Sequence, residues 1–391
     1  MLRFSWISLS LVAAATSASA EDYSAMKVVE QAVIEKMLSG PGLSGTILSP
    51  DGQRLIHLDG REVCLYDVKS TAVWTKVGCA PGDAELGFAE TEEFQWSPDS
   101  TAVLFPTYAN VFERQRDGDI GIFDATTQTV HLLTGDGIIK TKDVTSGFAD
   151  TAARWLDADT IVFVRYPIKG QGLLGDPAQI MTIERDGTGL TSLAEFGRAT
   201  FGLVDTLGVS PDGTQVALHA YSKDDKRSGV WQLTIGNEDE AKPFGLTIYA
   251  PDTVRLVAGN ALPGPVQGLA YSADGQKLLM ISSIKGYPAA TVLDLATGDL
   301  VSVSSEDIGG VGWSPTGHAL VYTTADTQRT GKDVGVHIAP EPGEAGYRIL
   351  DGKYYPAACC YLHAMPWAAN HRLVFLGIES IGGAVSLQLG R

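Results

Sequence analysis

Glu92, Asp205 and His363 are two carboxylates and an imidazole at one recurring position of a repeated pattern in this 391-residue chain. Each stands five residues before a serine, or its equivalent, that opens a tight turn. The full series is Ser44, Glu92, Thr151, Asp205, Gln267, Gly309 and His363, and six of the seven are polar. A ring of such groups suits acid–base chemistry, hydrogen bonding to a small polar ligand, or coordination of a divalent cation. A metal needs ligands converging within about 2.0–2.6 Å of one ion, whereas strand starts emerging from solvent are polar in any chain. No cofactor is therefore predicted, a divalent cation being the one candidate. Glu92, Thr151, Asp205, Gln267 and His363 stand as candidate ligand contacts at a channel mouth, and no catalytic residue is assigned.

A second group lies in five long connections, 107–118, 165–178, 222–229, 283–289 and 324–333. Together they carry ten basic and seven acidic residues, against 19 basic and 39 acidic elsewhere. Tyr108, Phe112, Tyr166 and Tyr287 are interleaved with Arg114, Arg116, Arg165, Arg227 and Arg329, and Arg and Tyr are enriched where interfaces concentrate their binding energy. These nine residues are the candidate partner-binding loops. Their expected partner is a protein of the cell envelope or a small polar ligand. The formal net charge of −17 argues against nucleic acid.

The elements that position both groups come from one repeated unit. The turns are Ser49-Pro50-Asp51-Gly52, Ser97-Pro98-Asp99-Ser100, Ser210-Pro211-Asp212-Gly213, Ser272-Ala273-Asp274-Gly275 and Ser314-Pro315-Thr316-Gly317, with decayed copies at Leu156-Asp157-Ala158-Asp159 and Ala368-Ala369-Asn370-His371. Pro fixes φ at the first corner, Asp accepts from backbone amides, and Gly takes the positive φ that closes the hairpin. The serine-equivalent positions are 48, 59, 54, 62, 42 and 54 residues apart. Runs of strand type follow each turn. Seven units of four antiparallel strands, with no helices between them, predict an all-β fold, a seven-bladed β-propeller. The residues one and three before each serine, among them Trp96, Trp155, Trp313 and Trp367, are bulky at one structural position and read as packing between blades. Binding is then expected on the face of the long connections, opposite the Ser-Pro-Asp-Gly turns.

The Ser-Pro-Asp-Gly turn, followed by an apolar strand and an I-x-x-x-D strand such as Ile120–Asp124, resembles the repeat of TolB-like propellers, relatives of WD repeats, over residues 40 to 391. The resemblance implies the propeller but not the amino-terminal domain of TolB, for which there is no room. The repeat also resembles the propellers of prolyl-oligopeptidase-type enzymes, yet no hydrolase domain and no G-x-S-x-G motif accompany it. An enzyme remains the alternative class: a lyase or hydrolase acting on a polar or acidic substrate, with Glu92, Asp205 and His363 as acid, base or metal ligands.

Ahead of the repeats, Arg3 precedes an apolar stretch from Phe4 to Ala15 that is too short to span a bilayer. Ala18-Ser19-Ala20 then offers the small residues that a signal peptidase reads. Residues 1–20 are expected to be a cleaved signal, 21–40 an amino-terminal segment, and 41–391 the propeller. The mature protein is expected in the periplasm or outside the cell as a monomer, with no lipid anchor and no membrane insertion. Residues 22–37 offer either a strand closing the ring, whose last copy lacks an outer strand, or a helix with Met26, Val29, Val33 and Met37 on one face. Cys64, Cys79, Cys359 and Cys360 allow three disulfide pairings, one of which staples a single hairpin.

Overall fold

The repeated turn is held by its own side chains. Ser49 Oγ donates to Asp51 Oδ1 (2.6 Å) and accepts from the Arg54 amide (3.0 Å), and the Gly52 amide donates to the Ser49 carbonyl (2.8 Å). Ser210–Asp212 and Ser272–Asp274 repeat the first bond at 2.6 Å. Gly52, Gly213 and Gly275 take φ of +70°, +70° and +71°, a region open to Gly at little cost. Ser100 (φ +60°) and His371 (φ +61°) take the same conformation in two of the copies without glycine. The serines are buried, so each hydroxyl closes a local network away from solvent.

The computed structural model describes residues 21–34, 46–59, 62–81, 94–108, 118–135, 147–169, 173–174, 177–196, 203–221, 229–235, 254–258, 266–284, 287–324, 334–352, 363–377 and 383–391, and every regular element among them is a strand. These form seven sheets, the blades of a propeller, antiparallel throughout except for one pairing between blades 6 and 7. Blade 1 is Thr46–Leu48, Arg54–Asp59, Glu62–Val68 and Trp74–Pro81. The innermost strands of blades 2 to 6 are Gln95–Trp96, Phe148–Trp155, Leu203–Val209, Val266–Tyr271 and Ile308–Trp313. Interior strands such as Gly118–Asp124 and Leu320–Thr324 are buried almost throughout because each blade is covered on both faces by its neighbours.

The tryptophans one residue before the serine latch neighbouring blades. Trp96 Nε1 donates to the Ile47 carbonyl (3.0 Å), Trp155 Nε1 to Gln95 (3.1 Å) and Trp313 Nε1 to Ala270 (2.9 Å), in each case the second residue before the serine of the preceding blade. Blade 7 departs from this rule. Its innermost strand, His363–Ala364, pairs in parallel with Gly310 and Val311 of blade 6, and the Met365 amide donates to the Val311 carbonyl (2.9 Å). Gly312 permits this approach, since a Cβ there would collide with the Met365 carbonyl.

The ring closes through the amino-terminal segment. Lys27–Ile34 is a strand, not a helix, and pairs antiparallel with Gly383–Gly390 as the outer strand of blade 7. Met26 and Tyr23 are buried against that blade, Tyr23 lies edge-on to Trp367, and the Tyr347 hydroxyl donates to the Tyr23 carbonyl (2.6 Å). Across the seam to blade 1, Arg372 Nη1 donates to the carbonyls of Gly52 (2.8 Å) and Val68 (3.1 Å). Cys64 and Cys79, directly opposed in blade 1, form the hairpin disulfide. Cys359 and Cys360 lie outside the described residues. No helix among the described residues is long and apolar enough to cross a membrane, and residues 1–20 lie outside them.

Candidate functional site

Propeller hairpins alternate between two faces. The Ser-Pro-Asp-Gly turns and the turns between third and fourth strands share one face, and the connections between second and third strands emerge on the other. On the short-turn face the charged groups are consumed locally. Asp212 is held below the usual carboxylate range by the Ser210 hydroxyl and the Thr214 amide, against the opposing effect of burial. At Asp274 burial pushes the carboxyl up, but hydrogen bonds from Ser272 and His318 outweigh it. His318 lies between Asp274 (2.6 Å) and Glu341 (2.9 Å), joining blades 5 and 6, and Arg185 reaches from blade 3 to Asp124 of blade 2 (2.9 Å).

On the opposite face the innermost strands carry a recurrent irregularity. In blade 4 Val204 pairs with Ala220 and Thr206 with His219, so Asp205 is an extra, unopposed residue. Gln267 in blade 5 and Gly309 in blade 6 occupy the same bulge. In blade 3 the bulge falls between Thr151 and Arg154, where Ala152 takes φ +55°. In blades 4 to 6 the position five residues before the serine is therefore a β-bulge, and in blade 3 the bulge follows directly after it; bulges re-aim side chains and are common beside active sites. Thr151 is half-buried, and with Ala152, Arg154 and Pro106 it lines a crevice of about 10 Å³, room for one water molecule. His363 sits beside Gly310 through the parallel pairing. Glu92 lies outside the described residues, as do the side chains of Asp205, Gln267 and His363.

Two residues assigned to the rim belong instead to the blade. The second strand of blade 3 runs from Thr160 to Lys169, so residues 165–169 extend the sheet. Tyr166 is 1% exposed and sits in the core with Val164 and Ile180. Arg165 makes a two-pronged ion pair with Asp150, Nε to Oδ1 and Nη2 to Oδ2 both at 2.7 Å, and its guanidinium lies over the rings of Phe148 and Phe163. Sequence reasoning missed Asp150. It lies six residues before the serine-equivalent Leu156, and only the bulge brings it opposite Arg165. Tyr108 and Tyr287 end or begin strands, with side chains outside the described residues, and Phe112, Arg114, Arg116, Arg227 and Arg329 lie outside them altogether.

No protein-family model and no curated protein sequence matches the chain. Among solved structures it is similar to a chain of the mitotic checkpoint complex, with a TM-score of 0.55 at 12% identity over 99% of both chains. The likeness is one of fold. The chain is also similar to TolB from Acinetobacter baumannii at 14% identity and a TM-score of 0.43, over 79% of this chain and 63% of that one, so it spans less than two thirds of that protein's length. A seven-bladed propeller thus stands on turn chemistry, sheet topology and the likeness in fold to the checkpoint-complex chain.

Proposed function

We propose that the chain is an exported propeller, residues 1–20 its cleaved signal, that binds a protein partner of the cell envelope on its long-connection face. The observation that carries this reading is topological. The strands flanking each long connection, such as Ala102–Tyr108 with Gly118–Asp124 and Leu320–Thr324 with Val334–Ala339, fix every such connection to one end of its blade. On this reading Tyr108, Phe112, Arg114, Arg116, Arg227, Tyr287 and Arg329, which the sequence sets in or beside those connections, are the groups that meet the partner. A rigid ring would present Arg and aromatic groups to an anionic or mixed-charge surface at small ordering cost. The similar solved chain in the mitotic checkpoint complex comes from an assembly of proteins, which accords with this reading. Alanine at Arg114, Arg116, Arg227 and Arg329 should abolish capture of an envelope partner while leaving thermal stability unchanged. Capture of the same partner by that variant overturns the proposal.

The row of bulges favours a second reading, a small polar ligand or substrate at the channel mouth. Asp205 and Gln267 share one bulge position in neighbouring blades. Metal analysis with Glu92→Gln and His363→Ala variants tests it: stoichiometric metal lost with either substitution supports an enzyme, and metal-free protein speaks against a metal-assisted one.

A further inference from the structure

Cys64, Cys79 and Glu62 come together at the edge of blade 1. The two cysteines are directly opposed across the third and outer strands, with Cα atoms 4.0 Å apart. Glu62 lies two residues before Cys64, on the same face of its strand. Its carboxylate and both sulfurs lie within 4.8 Å of one another. Cys64 is fully buried in the apolar cluster that joins blade 1 to blade 7, Cys79 is half-buried, and Glu62 is exposed, so the group runs from the closing seam of the ring out to solvent.

We propose that, with the disulfide reduced, these three residues form a site for a thiophilic divalent cation such as Zn²⁺, and that metal and disulfide are mutually exclusive occupants. This inference is independent of the rim reading. Two thiolates and a carboxylate are a zinc-type donor set, and the exposed side of Glu62 leaves a fourth position for water. Zn–S bonds of about 2.3 Å at the tetrahedral angle place two sulfurs about 3.8 Å apart. Opposed strand positions this close reach that separation by side-chain rotation. The chemistry balances with a small dithiol as reductant. It takes up the disulfide by exchange, becomes a cyclic disulfide itself and leaves two cysteine thiols, whose protons are released when the cation binds.

The test uses the full chain in a Cys359→Ser/Cys360→Ser background, with Cd²⁺ as probe because its thiolate complexes have an ultraviolet charge-transfer absorption that the free ion lacks. Dithiol-reduced protein should bind one Cd²⁺ per chain, with a charge-transfer band, release of about two protons, and displacement by Zn²⁺. Oxidised protein should give no band. Glu62→Gln should weaken binding by about tenfold or more while keeping the band, by loss of a ligand. Cys64→Ser and Cys79→Ser should each lose it. Tryptophan emission reports whether the fold survives in every sample. Absence of the band in reduced protein, equal affinity in Glu62→Gln, or loss of the fold on reduction overturns the proposal.

Discussion

Replacing Arg165 by Met separates a blade residue from a rim residue. The guanidinium and the Asp150 carboxylate meet through two 2.7 Å bonds, with side chains only 11% and 1% exposed. Removing the cation alone takes away the charge partner of a carboxylate in a desolvated site, a loss of about 3–5 kcal/mol. Methionine keeps most of the aliphatic volume and its contact with Phe148 and Phe163, so cavity formation adds little. Replacing both partners, Arg165→Met with Asp150→Leu, removes the charge and its counter-charge together and should return stability to within about 1 kcal/mol of the parent. Urea unfolding followed by tryptophan emission reads both variants. An exposed loop arginine would shift stability by no more than about 0.5 kcal/mol. A single substitution within that margin, or a double variant no more stable than the single, refutes the placement of this pair.

Four further outcomes follow from the same structure. Trp96→Phe, Trp155→Phe and Trp313→Phe each remove one inter-blade hydrogen bond and strand a carbonyl, and should cost about 1–3 kcal/mol in urea melts. Gly312→Ala should prevent the parallel pairing of blades 6 and 7 and lower the melting temperature far more than Gly298→Ala, whose φ of +81° costs about 1–2 kcal/mol but whose surroundings are open. The folded-state pKa of Asp212 is depressed, so its contribution is present above the unfolded aspartate value of about 3.9 and is lost as pH falls through the folded value. In melting temperatures across that range, Asp212→Asn should be less stable than the parent at pH 7, with the gap closing below pH 4. Opening the Cys64–Cys79 bond, which spans 15 residues, should cost about 3 kcal/mol, measured as the difference between oxidised and reduced urea midpoints.

Most of the fold was legible because each blade announces itself locally. A serine, a proline, an aspartate and a glycine within four residues encode a turn through short-range bonds, and the tryptophan before them encodes the seam. What stayed hidden was non-local. Met26, Val29 and Val33 fit a helical spacing, yet Lys27–Ile34 is a strand because the unpaired edge of Gly383–Gly390 supplies a ladder that no local propensity reports. The bulges were equally silent, since an extra residue shows only when two strands are laid in register. That silence is why Asp150 escaped notice and why Arg165 and Tyr166 read as loop. The candidate ring was found by counting back from the serine, and the bulges at Asp205, Gln267 and Gly309, and just after Thr151, emerged only from pairing.

The propeller depends on the ring being shut by the amino-terminal strand in the observed register. Paired cysteines at Val33 and Val385, and separately at Ala32 and Ser386, occupy directly opposed positions, whereas Val33 with Leu387 is out of register by two. After air oxidation of the folded protein and proteolysis, mass spectrometry should find a cross-link in at least one of the two opposed pairs and none in the offset pair. A cross-link confined to the offset pair, or none in either opposed pair, would contradict the closure on which the rest is built.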